Sequence, residues 1–146
     1  MVSIITRLQV PFLRVHQWLY RHSGGWIGRR LLGVPTLLLT SVGRKSGRSR
    51  TSALVYAADG ERWVVVPSNG GQDHPPAWYF NVRAHHDVDI QVGRRRVAGT
   101  AQVIEADEPE HARLWALVNK VNHGRFDGYQ RRTDRKIGVV TLTPHS

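Results

Sequence analysis

The sequence predicts a mainly β protein with helices (α+β): a small antiparallel barrel of about six strands, with helices packed outside it. Three observations carry that reading. Short runs rich in Val, Leu and Thr recur along the chain, several with period-two alternation. Glycine turns separate them, as at Gly43, Asp59-Gly60 and Gly93. After residue 35, helical spacing is confined to two stretches, near 77–84 and 107–119, with a polar, aromatic and basic segment at 123–135.

Taken in order, residues 3–22 read as an amphipathic helix. Phe12, Val15, Trp18 and Leu19 fall on one side, and Arg14, Gln17, Arg21 and His22 lie mostly on the other. Pro11 suits a first helical position, where its missing N–H costs nothing. The Trp, Tyr and Arg content lets this helix dock on the barrel or lie on a membrane surface. Ser23-Gly24-Gly25 and Gly33-Val34-Pro35 are breaks, so the chain divides into an N-terminal amphipathic helical segment, 1–32, and a barrel domain, 33–146. Strands are expected at 36–42, 51–58 and 62–67, joined by short turns as a meander. Ser68-Asn69-Gly70-Gly71 forms a second small-residue loop, and Pro75-Pro76 prepares a helix over 77–84. Residues 87–92 alternate as a half-buried strand, Gly93-Arg94-Arg95-Arg96 is a basic turn, and 97–105 continues as its partner. Asp107 and Glu110 resemble a capping box for a helix over 107–119, and the last strand runs over 137–143.

Composition narrows the partners. The chain has 146 residues, 21 Lys plus Arg against 11 Asp plus Glu, and a net charge of +10. That field favours anionic ligands: nucleic acid, an acidic membrane surface or an anionic cofactor. With no cysteine, disulfides, thiolate metal sites and cysteine nucleophiles are excluded. The eight histidines fall in no metal-binding spacing, so no metal is expected. Ser68 is not in a Gly-x-Ser-x-Gly elbow, which argues against a hydrolase. Ile4-Ile5 is followed at once by Thr6 and Arg7, so no secretory leader or membrane span is expected. The expected location is the cytoplasm, or the inner face of the cell membrane if residues 3–22 rest on it.

The densest chemical signal is Thr40 to Arg50. Arg44, Lys45, Arg48 and Arg50 lie within it, with Gly43 and Gly47 bracketing the first pair and Ser46 supplying a hydroxyl. Glycines let backbone N–H groups approach a ligand, and the cations around them make an anion clamp. The segment matches neither the Walker A pattern nor Gly-x-Gly-x-x-Gly, so a phosphate-binding loop of either kind is not supported. Basic patches at 44–50, 94–96 and 131–136 keep a nucleic-acid-binding domain as an alternative, although no signature of one is present.

Gly43-Arg44-Lys45-Ser46-Gly47-x-x-Arg50, then Asp59-Gly60, then Ser68-Asn69-Gly70-Gly71, then Pro76-Ala77-Trp78-Tyr79-x-Asn81 follow one another in register. Together they resemble the deazaflavin-dependent nitroreductase family, as does Tyr129-x-x-x-Thr133-Asp134-Arg135. The resemblance spans roughly residues 33 to 144. It implies a six-stranded split β-barrel of the FMN-binding split-barrel kind, and reduced coenzyme F420 as hydride donor, FMN being the weaker candidate. F420 is a 5-deazaflavin with a phosphate and an oligoglutamate tail. The implied reaction is hydride transfer to a small conjugated acceptor: a quinone, an enone or a nitro compound. A non-catalytic split-barrel protein that holds a flavin or a lipid ligand is the other alternative, and nucleic acid is not an expected partner of this family.

The resemblance also assigns residues. Arg44, Lys45, Ser46 and Arg50 would hold the anionic tail. Ser52, Ala53, Leu54, Val55 and Tyr56 would line the deazaflavin edge. Val66, Pro67, Ser68 and Asn69 would face the ring system, and Ala77, Trp78 and Asn81 would close over the ribityl and phosphate part, with core packing the competing role for Trp78. Val55, His123, Phe126 and Tyr129 would form the substrate pocket. Ser68 and Tyr129 are the candidate catalytic residues, as proton donor or for substrate positioning. Two departures stand out: Asn69 replaces a common Lys, and one Tyr remains where nitroimidazole-reducing members carry several.

Overall fold

The structure is a computed structural model, and it describes residues 33–146. The elements in chain order are β1 (Thr36–Val42), β2 (Ser49–Val55), β3 (Ala57–Asp59), β4 (Arg62–Val65), α1 (Ala77–Ala84), β5 (Asp87–Val92), β6 (Arg95–Ile104), α2 (His111–Val121), α3 (Arg125–Gln130) and β7 (Val139–Pro144). A single 3₁₀ turn, Asn69–Gly71, precedes α1. The expected helix at 3–22 and its membrane contact lie outside the described residues. No helix among the described residues is long and apolar enough to cross a membrane.

The strands among the described residues join one antiparallel sheet of seven, not six, in the order β2-β1-β5-β6-β7-β4-β3. The extra strand arises because the run expected over 51–58 divides at Tyr56. The Tyr56 N–H still donates to the Pro35 carbonyl at 3.1 Å in the β1–β2 register, but Pro35 has no N–H to return, and the ladder ends there. Before that corner the chain pairs with β1; after it the chain pairs with β4. The expected three-strand meander is therefore two hairpins at opposite ends of the sheet. One residue joins the two end strands, so the sheet must curl until its edges approach each other at Tyr56. Among the described residues the two end strands, β2 and β3, do not pair with each other, so the curled sheet stays open along their outer edges.

Alternation decides what each face buries. Leu37 and Leu39 of β1, Trp63 and Val65 of β4, Val88 and Ile90 of β5, and Val140 and Leu142 of β7 point inward with Trp78, Tyr79 and Val82 of α1. Val64, Val66, Ile104 and Val139 point the other way, against Leu114 and Val118 of α2 and Phe126 of α3. Strand β4 is covered on both faces, which is why Trp63 to Val66 reads as a continuous apolar run.

Helix α2 starts at His111, later than expected, and its N-cap Glu110 makes no side-chain capping bond. The capping box at Asp107 and Glu110 is absent. Pro109 disfavours helical backbone at Glu108, so the helix cannot run through from 107. Glu110 is instead part of an ion-pair group that ties α2 to the β3–β4 hairpin. Arg62 Nε meets Asp59 Oδ2 at 3.0 Å, and Arg113 Nη1 meets Asp59 Oδ1 at 2.9 Å. Both arginines also pair with Glu110.

The Arg113 hydrogen bond, opposed by partial burial and aided by Arg62, brings the Asp59 carboxyl down to about 2. An unfolded Asp titrates near ~4. The contribution of Asp59 is thus present above that value and lost as pH falls toward its folded pKa. Asp59→Asn is expected to cost about 1 kcal/mol at neutral pH. Thermal melts should show the deficit shrinking as pH drops from about 4 to about 2; a deficit independent of pH would refute the assignment.

Candidate active site

Alternation also sorts the predicted cofactor residues. The register pairs Leu37 with Leu54, Leu39 with Ser52 and Ser41 with Arg50, so Arg50, Ser52 and Leu54 share the inward face with α1. Ala53 lies on the other face and is exposed. Strand β2 ends the sheet, so its outer edge has no strand partner among the described residues. The Thr40 and Thr51 hydroxyls, 2.9 Å apart, pin the β1–β2 register.

The loop between β1 and β2 is shaped by its glycines and held by α1. Gly43 N–H donates to the Arg48 carbonyl at 2.7 Å, and Gly47 N–H donates to the Gly43 carbonyl at 2.8 Å. A side chain at Gly43 would meet Ser46 Oγ at 2.7 Å, so this turn admits only glycine there without rearrangement. Arg44, Lys45 and Ser46 are exposed at its tip. The Arg44 N–H donates to Asn81 Oδ1 at 3.0 Å, and Asn81 Nδ2 donates to Ser41 Oγ at 3.5 Å. The Arg44 guanidinium sits 4.8 Å from the Phe80 ring centroid. Asn81 is buried, with its amide engaged inside the protein: it is the strut between α1 and the basic loop. Removing it in Asn81→Ala is expected to cost about 1 kcal/mol, since a partly buried loop N–H loses its acceptor. Melting curves and hydrogen exchange at Arg44 check this; unchanged protection of that amide would show the strut to be idle.

Trp78 is packed in the barrel core, and Ala77 is exposed at the start of α1. Val66, Pro67 and Ser68 are buried where β4 ends. The Ser68 side chain makes no capping bond to the turn that follows. That turn has three successive residues with positive φ: Asn69 at 48°, Gly70 at 66° and Gly71 at 86°. Asn tolerates this region better than other side chains. Its amide donates to the His74 carbonyl at 3.1 Å.

The turn and α3 are in direct contact. A Cβ on Gly71 would lie 2.6 Å from the Tyr129 carbonyl oxygen, so this glycine is needed for close approach as well as for its φ. The structure thus brings the Asn69–Gly71 turn, which follows Ser68, against the backbone of α3 at Tyr129. Tyr129 meets Phe126 edge-on with centroids 6.0 Å apart, and Arg132 lies 5.7 Å from its ring centroid. Val55 and Tyr129 pack against the cluster that contains Phe126. His123 is exposed, with φ of 59°, and donates from Nε2 to the Gly33 carbonyl at 3.3 Å. The predicted residues therefore form two groups: the basic loop with β2 and α1, and the Ser68 turn with α3. A concavity of about 590 Å³ opens on the reverse face of the sheet, lined by residues such as Leu38, Thr40, Gln91 and Arg96. None of the predicted site residues lines it.

Arg135 is a residue of this region whose role sequence reasoning missed. Its Nη2 donates to the carbonyls of Ser68 at 2.8 Å and Pro67 at 3.3 Å, and its Nε donates to that of Gln72 at 2.8 Å. Burial pushes its guanidinium below the usual arginine range, against the pull of Tyr79 and Asp73. Arg135 lies in a motif that the resemblance includes, yet its acceptors are backbone carbonyls, which no sequence pattern marks.

Similarity to known proteins agrees with this geometry. The family model described as F420H(2)-dependent quinone reductase matches residues 12–144. An F420H(2)-dependent quinone reductase of Mycobacterium tuberculosis (strain H37Rv) is 44% identical over 135 residues, covering 92% of this chain and 91% of that protein. A solved F420-H2-dependent reductase, FDR-A, superposes with a TM-score of 0.65 at 33% identity, over 76% of this chain and 98% of its own. A second solved structure, described as a domain-swapped dimer, gives 0.68 at 30% identity, over 92% and 98%. The barrel, the basic loop with its α1 strut and these matches lead to one conclusion: the chain belongs to the F420H(2)-dependent quinone reductase family, oxidoreductases that use reduced coenzyme F420.

Proposed function

We propose that this chain reduces a quinone with reduced F420, and that the barrel of residues 33–146 carries the whole site. The observation that carries the placement is the Asn81 strut, which fastens a loop of exposed cations beside the open edge of β2. Lys45, Arg44 and Arg50 bind the phosphate and glutamate carboxylates through charge-assisted hydrogen bonds. Ser46 adds a neutral donor. The outer edge of β2 offers backbone groups to the polar rim of the deazaflavin. These residues fit an anionic, planar cofactor better than a neutral one.

F420, when bound in its reduced form, supplies the hydride. The chain's own part is orientation, exclusion of water and delivery of one proton to the quinone oxygen. Ser68 and Tyr129 are the proposed positioning or proton-bearing groups, because the Ser68 turn and α3 are packed together. Val55 and the Tyr129 ring, backed by the buried Phe126, give the acceptor an apolar wall, which suits a quinone ring better than a nitro compound that needs several hydroxyl donors. Fluorescence titration with oxidised F420, FMN and a short DNA duplex tests the binding step. A water-soluble naphthoquinone, followed by absorbance of the reduced cofactor, tests turnover. Binding of the duplex alone would overturn the proposal, and F420 binding without turnover on any quinone would leave a carrier instead of an enzyme.

A further inference from the structure

The segment Thr133-Asp134-Arg135 follows α3 and precedes β7, and it is braced from several sides. Gln130 Nε2 donates to the Arg135 carbonyl at 2.7 Å, while Gln130 Oε1 accepts from the Ile137 N–H at 3.0 Å. Thr133 Oγ1 donates to Asp73 Oδ1 at 2.9 Å, and the Arg135 N–H points back to Thr133 Oγ1 at 3.3 Å. Arg135 is thereby held in one place, and its side chain is extended to the loop after β4.

That loop needs holding. Three successive left-handed residues cannot continue a helix or a strand, so few backbone bonds restrain them. Its internal bonds are Gly71 N–H to the Ser68 carbonyl at 2.9 Å and Gln72 N–H to the Asn69 carbonyl at 3.2 Å. The Arg135 guanidinium takes the carbonyls on both flanks of the turn: Pro67 and Ser68 before it, Gln72 after it. A planar fork can serve diverging acceptors at once; a lysine, as a point donor on a flexible stem, cannot hold the same set.

We propose that Arg135 is a positioning residue for hydride transfer: it sets Ser68 and the 69–71 turn against α3 by holding the carbonyls on both flanks of the turn. The proposal rests on the placement of Ser68 and Tyr129 at the reacting end of the site. A residue that only stabilised the fold would lower the melting temperature and leave the folded enzyme's rates alone. A positioning residue changes the rate of the hydride step more than it changes F420 affinity, because 1 Å of misplacement costs on the order of 10²-fold.

The test uses the full chain and the variants Arg135→Lys and Arg135→Ala. Three quantities are read at a temperature where each is folded: amide exchange at Gly71 and Gln72, the dissociation constant for oxidised F420, and the single-turnover rate of reduced F420 with a water-soluble naphthoquinone. In both variants exchange should rise about tenfold or more, F420 affinity should change less than about fivefold, and the rate should fall about 10²-fold. Millimolar guanidinium should restore part of the rate to Arg135→Ala. If that variant does not fold, Arg135→Lys decides alone. Wild-type exchange and rate in Arg135→Lys would overturn the proposal, as would faster exchange with an unchanged rate. The site reading fails separately: Ser68→Ala and Tyr129→Phe with wild-type rates would refute it even if the turn loosens in the Arg135 variants.

Discussion

Gly71→Ala is expected to destabilise the protein by about 3 kcal/mol, enough to lower its melting temperature by roughly 10 °C. Two effects combine. At φ of 86° an L side chain is strained, which costs about 1–2 kcal/mol. The new Cβ would also lie 2.6 Å from the Tyr129 carbonyl and 3.1 Å from the Tyr129 Cα, both backbone atoms that cannot rotate away. Either α3 moves or the turn does, and the close contact of the turn with α3 is lost in both cases. Gly70→Ala is the internal control. Its φ is 66°, but nothing lies within 4 Å of the added methyl, so only the conformational cost of about 1 kcal/mol applies. Thermal melts of the two variants should differ by several degrees. Equal shifts would show that the contact with Tyr129 carries no weight.

The second large effect is on cofactor affinity. Lys45→Ala with Arg50→Ala should weaken F420 binding by roughly 30-fold, about 2 kcal/mol, for two charge-assisted contacts to carboxylate or phosphate. Lys45 is exposed, so its removal should leave the melting temperature nearly unchanged. The gap between wild type and variant should narrow as salt rises, because screening reaches exposed charges within about 10 Å at 0.1 M. Fluorescence titration at low and high ionic strength reads both quantities. An unchanged dissociation constant at low salt would remove the clamp from the cofactor site.

These two expectations differ in how visible they were. The proposed clamp is local: Arg44, Lys45 and Arg50 sit within a few residues of one another, and glycines mark the turn that gathers them. The contact of Gly71 with α3 is not local. The sequence marks Gly71 as a residue free to take positive φ, but its second role comes from a helix almost sixty positions later. Asn81 shows the same division. Its motif pointed to the cofactor, while the structure shows it engaged in holding Arg44 and Ser41. The strand count failed at Tyr56 for a related reason. The 51–58 run keeps its strand character throughout, and only the pairing, β1 before the corner and β4 after it, divides it.

What the sequence determined by itself is what depends on near neighbours. Alternation and turn residues placed the strands, Pro75-Pro76 placed α1 over Ala77–Ala84, and clustered cations announced an anionic ligand. The tertiary structure alone decided which strand ends meet, which face each side chain takes in the curled sheet, and that the Arg135 guanidinium reaches across 67 residues to the Ser68 carbonyl. The physical reason is that propensity and periodicity act over a few residues, whereas curling the sheet and satisfying buried carbonyls are conditions on the whole chain at once.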